Sequence, residues 1–271
     1  MSTLLSVTQR TGNTVRSFIT GTERRKNLTA HILFAVSIFI VWHVAHQFMP
    51  RAVPTWFQIA DAFWLQVTQD QLLPATYDAL YAIFAGFFLA VVFGIPLGLA
   101  MGLNQLFEEA FDPYLNALYV TPFAALVPAL IMWFGTGITV RTVVVFFFAL
   151  FPITINTLEG AKTVPAGLME VTESFCAGRL YTIRMLVLPY EVPYIVSGLR
   201  MGLGRAVKGL VIVELLVAVT GFGAIITAWS SAYRMEGVYS VVIVLMLLGI
   251  LFTWILRRLE SRFIHWNTAD V

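Results

Sequence analysis

The chain has 271 residues, 59% of them hydrophobic and only 12% charged, with a formal net charge of +2. Soluble domains are nearer a quarter charged, so the balance excludes an ordinary soluble enzyme and predicts an integral membrane protein. No run of basic residues points to nucleic acid, and a single cysteine cannot form an internal disulfide.

Arg10, Arg16, Arg24, Arg25 and Lys26 precede the first apolar run, which is too long for a signal-peptide core and reads as a retained span. Uncharged windows follow at 27–50, 79–107, 113–140, 142–158, 215–233 and 237–256. Each is near or above the roughly 20 residues that cross a bilayer core. The fourth is the shortest and calls for snorkelling ends or local thinning. The fifth is expected to begin earlier, near Gly202, and so to contain Lys208 and Glu214. The prediction is an all-α polytopic protein with about six transmembrane helices. A membrane domain over 28–258 lies between tails at 1–27 and 259–271, with its longest connection at 159–192.

The positive-inside rule orients it. Fourteen basic residues fall on the side of the N-terminus, among them Lys162, Arg179, Arg184, Arg200, Arg205, Lys208, Arg257, Arg258 and Arg262. Only Arg51, Arg141 and Arg234 fall on the other. Both termini are therefore expected in the cytoplasm, and the acidic 104–112 loop adds no basic vote.

His43 and His46 share a face of the first span, but no third ligand lies near, so interfacial histidines are favoured over a metal site. After it, Trp56, Ile59, Phe63 and Val67 stand at helical spacing in "PTWFQIADAFWLQV". A short helix at the outer interface, anchored by Trp56 and Trp64, and an ordinary loop both fit this stretch. In the second span Ala82, Gly86, Ala90, Gly94, Gly98 and Gly102 recur every four residues. They form one narrow face that lets another helix backbone approach.

Pro122 and Pro128 interrupt the third window and Pro152 the fourth. Broken helices of this kind can line a substrate path, and simple kinks are equally compatible. Glu214 is an acid well inside a span, which calls for a partner or a wet cavity. A structural role is preferred to a pathway role; Lys208, six residues away, is off its face. No nucleophile-and-base motif and no phosphate-cradling glycine loop is present.

Between the fourth and fifth spans, Pro165 can open a helix whose apolar stripe is Leu168, Val171 and Phe175, with Gly178 as its stop. A second short helix would carry Leu180, Ile183 and Val187 and break near Pro189. A pair of amphipathic helices like this suits the inner lipid surface or a soluble partner.

The stretch "EVTESFCAGRLYTIRMLVLP" (170–189) resembles the EAA motif of permease subunits in binding-protein-dependent ABC importers. Glu170 matches its glutamate, Val171 and Thr172 replace its alanines, Cys176 stands at its glycine and Leu188-Pro189 at its Leu-Pro. "GIPLGLAMG" (94–102), "TPFAALVPALIMWFGTG" (121–137), "FPITINTLEGAKTVP" (151–165) and "PYIVSGLRMGLGRAVKGLVIVELL" (193–216) follow the order of the nitrate, taurine and aliphatic-sulfonate subgroup. The resemblance covers roughly residues 75 to 260.

It implies an importer-permease bundle in the bacterial inner membrane, paired with a second permease copy. It also implies two cytoplasmic ATPases that bind ATP and Mg, and a periplasmic or lipid-anchored binding protein that delivers a small solute. This chain itself would bind no cofactor and hydrolyse nothing. By the resemblance, Glu170, Val171, Thr172, Glu173, Cys176, Ala177 and Gly178 meet the ATPase, and Leu188 and Pro189 set the joint to the bundle. Pro122, Pro128 and Glu214 are candidates for the path, and Gly86, Gly94, Gly98 and Gly102 for helix packing. With a side chain at Cys176, Gly178 is expected to take over the turn. The alternatives are a secondary transporter or a membrane scaffold with no ATPase.

Overall fold

The computed structural model describes residues 33–263 apart from 35, 70 and 218. The basic N-terminal tail and the start of the first window lie outside the described residues. The chain divides into two compact units, residues 1–58 and 59–271. In the first, helix α1 (Val36–Phe48) is followed by a turn that folds back on it. Trp42 donates its indole N–H to the Pro54 carbonyl at 2.9 Å, and His46 Nδ1 lies 2.6 Å from the Val53 carbonyl. Helix α2 (Trp56–Thr68) starts at the end of this unit with a reciprocal cap. The Gln58 N–H donates to Thr55 Oγ1, and the Thr55 N–H to Gln58 Oε1. The stretch after the first span is thus a helix, not a loop.

The described part of the second unit is helical, without a strand. It contains α3 (Leu72–Leu103), α4 (Gln105–Val120), a 3-10 turn (Phe123–Leu126), α5 (Val127–Phe134) and α6 (Ile138–Lys162). Then come α7 (Ala166–Ser174), α8 (Arg179–Thr182), a π turn (Ile183–Val187), α9 (Leu188–Val217), α10 (Gly221–Ser231) and α11 (Met235–Phe263). Among the described residues three helices are long and apolar enough to cross a membrane: α3, α6 and the Met235–Ile255 part of α11. The count reaches five if each of two bent pairs is one span.

Several expected boundaries move, each for a backbone reason. The fourth window is not short: α6 has 25 residues, about 37 Å at helical rise, and needs no thinning. The acidic 104–112 stretch is not a loop. Asn104 leaves the helix in an extended conformation and caps α4, its Oδ1 accepting the Leu106 N–H at 3.0 Å. The third window is not one rod, because its two halves meet at 86°. Pro122 drives Thr121 out of the helical region (φ −59°, ψ 131°), and Pro128 opens α5 within its first turn. The fifth begins at Leu188 and bends by 52° between α9 and α10.

The expected break at Pro189 is absent. Proline removes an N–H and its ring crowds the carbonyl four residues back. The helix absorbs this by widening: the Leu188 N–H bonds the Ile183 carbonyl, five residues earlier, and the chain runs on into α9. Arg205 and Lys208 lie inside α9 as expected; Arg200 consequently lies inside it too, and Arg141 near the start of α6, not in loops.

α6 is the central helix, packed between α3 and α9, and glycines set both seams. A Cβ at Gly98 would stand 2.6 Å from the Thr154 carbonyl, and one at Gly86 2.7 Å from that of Thr142. Gly94 and Gly102 abut Ile153 and Ala161 in the same way. Across the other seam, Gly202 faces the Ala149 carbonyl and Gly209 the Phe148 ring. At Gly86, Gly98, Gly102 and Gly202 the helix comes up against the neighbouring backbone itself, which is how helices associate without a hydrophobic force between them.

Candidate coupling surface and charged joint

The polar features gather in two places. The first is the connection from α6 to α9. Helix α7 ends in a Schellman motif. The Ala177 N–H bonds the Thr172 carbonyl at 2.9 Å, the Cys176 N–H bonds that of Glu173 at 2.8 Å, and Cys176 has φ +51°. The left-handed residue is therefore Cys176, at the position where glycine is the usual choice. Gly178 does not take over the turn. It is extended (φ −65°, ψ 147°) and precedes α8.

Glu170, Glu173, Cys176 and Gly178 are exposed, and Thr172 and Ala177 are half-buried. The Thr172 hydroxyl is spent on the Met169 carbonyl at 2.8 Å. Leu168, Val171 and Phe175 form the expected stripe, but it is uncovered: Phe175 is 82% exposed and the nearby Leu180 80%. At the far end Leu188 is half-buried and Pro189 exposed.

The same connection holds a residue that the sequence did not single out. Glu191, in the first turn of α9, is fully buried against α6. A Cβ at Gly160 would stand 2.9 Å from its Cγ. Among the described residues its carboxylate makes no well-formed hydrogen bond, and the Ala161 backbone is its polar neighbour.

The second place is the joint between α9 and α10. Glu214 is buried and its partner is Arg141 of α6, with Nη1 3.7 Å from Glu214 Oε1 and 3.6 Å from Asp78 Oδ2 of α3. Arg141 Nη2 also donates to the Thr220 hydroxyl. Glu214 Oε2 accepts the Phe222 N–H at 3.0 Å, so the carboxylate sits over the N-terminus of α10. Glycine is required here twice. Gly221 has φ +71°, and a Cβ on it would stand 2.7 Å from Glu214 Oε1; one on Gly223 would overlap the Glu214 carbonyl. This charge cluster ties α3, α6, α9 and α10 together.

Arg141 sits at the edge of an apolar window and reads from sequence as a loop cation. The signal that could have found it is the requirement that a buried acid have a partner. The prolines lie elsewhere: Pro122 and Pro128 are exposed at the break between α4 and α5. Among the described residues no three His, Cys, Asp or Glu groups gather as a metal site.

Among the described residues the polar groups thus form an exposed surface on α7 and α8 and a buried charged joint at the start of α10, in a bundle bent between α4 and α5 and between α9 and α10. Comparison with known proteins places the chain in a family. The family described as "Binding-protein-dependent transport system inner membrane component" matches residues 90–265. The taurine transport system permease protein of Escherichia coli (strain K12) is 30% identical over 189 residues, 70% of this chain and 69% of that protein. The formylaminopyrimidine transport permease protein of Halalkalibacterium halodurans is 30% identical over 240 residues, 87% and 94% of the two chains. In a structure titled as inward-facing conformations of the MetNI methionine ABC transporter, one chain superposes with a TM-score of 0.63. It covers 74% of this chain and 99% of that one at 18% identity, a likeness of fold. With helices and no strand in its described part, and matched over most of its length, the chain belongs to the binding-protein-dependent transport system inner membrane component family of ABC importer permeases.

Proposed function

We propose that this permease moves a small solute into the cytoplasm by alternating access, driven by a separate ATPase dimer docked on α7 and α8. The observation that carries the reading is the uncovered apolar stripe. Val171, Phe175 and Leu180 project from a helix pair that is joined to the bundle by a continuous helix. An exposed aromatic anchor with charged neighbours suits a protein groove. Glu170, Glu173 and the Cys176–Gly178 turn would meet that groove. The unbroken run through Leu188 and Pro189 would carry its movement into α9. A second permease copy, and a binding protein at the opposite mouth, complete the assembly.

The orientation follows from charge. With Arg200, Arg205 and Lys208 inside α9 and Arg141 inside α6, the basic excess still favours the side of Lys162, Arg179 and Arg184. That side, with both tails, is assigned to the cytoplasm of the bacterial inner membrane, and 28–258 to the transmembrane domain. Pro122 and Pro128, at the 86° break, are assigned to the path wall. Glu214 is assigned to the joint that holds α10, because it faces Arg141 and not an open cavity.

Glu170→Ala tests the docking residue. The variant should insert and fold, yet lose most of the ATPase stimulation that transport brings. Unchanged transport would remove Glu170 from the coupling surface.

A further inference from the structure

The helices of the bundle are joined in two different ways. α3, α6 and α9 meet along glycine seams, where backbone comes up against backbone. Helix α4 carries no glycine, and side chains hold it to the others. Leu115 is its one buried residue, in a small apolar cluster with Met101, Phe151 and Leu158 that is separate from the main core. Near its start, Glu108 Oε1 lies 2.5 Å from Lys162 Nζ of α6. In its last turn, Tyr119 meets Arg205 of α9. The guanidinium lies 4.6 Å over the Tyr119 ring, and Arg205 Nη2 donates to the Tyr119 hydroxyl at 2.5 Å.

These two clasps differ in kind. Lys162 is exposed and Glu108 half-buried, and water and salt weaken such a pair. Arg205 and Tyr119 are half-buried within the membrane-spanning part of the bundle, where little water competes. A hydrogen bond from a charged donor is about twice as strong as a neutral one. Arg205 also differs from Arg141, which faces two carboxylates. Among the described residues no carboxylate pairs with Arg205; its partner is a phenol. A cation inside a span is costly, and an apolar side chain could fill the space against the ring without that cost. What the guanidinium adds is direction: stacked on the ring and bonded to its hydroxyl, it fixes how Tyr119 lies as well as where. Apolar contact alone is non-directional.

The position of the clasp gives that direction a use. Tyr119 stands two residues before Thr121, where the chain turns through 86° into α5. The bent arm of α4 and α5 runs between two non-helical joints: Asn104, extended at φ −142°, and Gly135, at φ +74°, where a Cβ would meet nothing within 4 Å. Joints of this kind are where hinges absorb backbone rotation. Arg205 lies on α9, which continues without a break from α8 and the π turn. We propose that Arg205 is a positioning residue of transport. By clasping Tyr119 it makes the bent arm follow α9, so that the wall at Pro122 moves with the docking helices. This rests on the permease reading above, which assigns α7 and α8 to the ATPase and Pro122 to the path.

The test measures whether α4 follows α9. Cys176→Gly removes the native thiol, and Tyr114→Cys on α4 with Ser197→Cys on α9 place spin labels at two exposed sites away from the clasp. Pulsed dipolar spectroscopy reads the distance between them in the complex with its ATPase in lipid nanodiscs. Labelled chain is diluted with unlabelled chain so that one copy is read, and spectra are compared without nucleotide and with a non-hydrolysable ATP analogue. With Arg205 in place the distance should be the same in both states. Arg205→Met keeps a long side chain, removes the charge and should insert at least as well. In this variant the distance should change between the two states by more than about 2 Å, the scale of helix shifts in switching proteins. Arg205→Lys keeps a cation for the ring and should restore the invariance in part, which a merely space-filling role would not require.

A distance that stays the same in both states of Arg205→Met would overturn the proposal, since the arm would then need no clasp. So would a distance that already changes with nucleotide while Arg205 is in place, because the arm would not be following α9. Should Arg205→Met fail to assemble, Tyr119→Phe keeps the ring, loses the hydroxyl acceptor and is judged by the same two criteria. The permease reading fails on a different result, the absence of an ATPase that assembles with the chain. A complex that assembles and shows either overturning pattern sinks the clasp alone.

Discussion

Replacing Cys176 by glycine should strengthen the end of α7. Cys176 is held at φ +51° by two backbone hydrogen bonds that close the helix. A left-handed conformation costs an L-residue roughly 1–2 kcal/mol. Glycine removes that strain, and its extra freedom in the open chain returns about 0.5–1 kcal/mol of the gain. The cysteine is exposed, so little packing is lost. The net expectation is a stabilisation of about 0.5–1 kcal/mol, or roughly a two- to fivefold slowing of local opening. Hydrogen exchange at the Ala177 amide, which is bonded to the Thr172 carbonyl, reads it directly. Cys176→Val should move the other way, because a β-branched residue tolerates positive φ poorly. If Cys176→Gly exchanges as fast as the parent and Cys176→Val is indifferent, the turn is not limited by backbone strain and the reasoning fails.

Two further expectations concern the bundle. Arg141→Met leaves Glu214 buried without its cation and should lower stability by about 3–5 kcal/mol, read as thermal denaturation in detergent. The double variant Arg141→Met with Glu214→Leu should recover much of that, and equal losses in single and double variants would show the pair is not coupled. Gly98→Ala forces a methyl to within 2.6 Å of the Thr154 carbonyl and should lower stability by about 1–3 kcal/mol. Gly204→Ala, which meets nothing, should stay within about 0.5 kcal/mol; similar losses at both sites would refute the seam.

Much of this was legible in the sequence, for identifiable reasons. The four-residue spacing from Gly86 to Gly102 marks one helix face, because that spacing is a local property of the helix. That α6 is what lies against it is a long-range fact, and spacing carries no trace of it. Apolar windows found the helices but misplaced their ends, since hydropathy is blind to backbone hydrogen bonding. Asn104 and Pro122 end helices inside continuous apolar stretches, while Pro189 fails to end one because a π turn absorbs it. Charge was read by position along the chain. Arg141 and Arg200, outside the expected apolar spans, therefore passed for loop cations although both lie within helices. At Cys176 the family pattern and the local glycine preference pointed to different residues, and the two hydrogen bonds of the turn decide for Cys176.

The central claim is that the chain works as one subunit of an ATP-driven importer. The most direct measurement is uptake into proteoliposomes that hold this chain purified together with the products of its neighbouring genes. The account predicts that an ATPase co-purifies and that uptake requires both ATP and the binding protein. An isolated chain that transports without ATP, or a preparation from which no ATPase can be recovered, would contradict it.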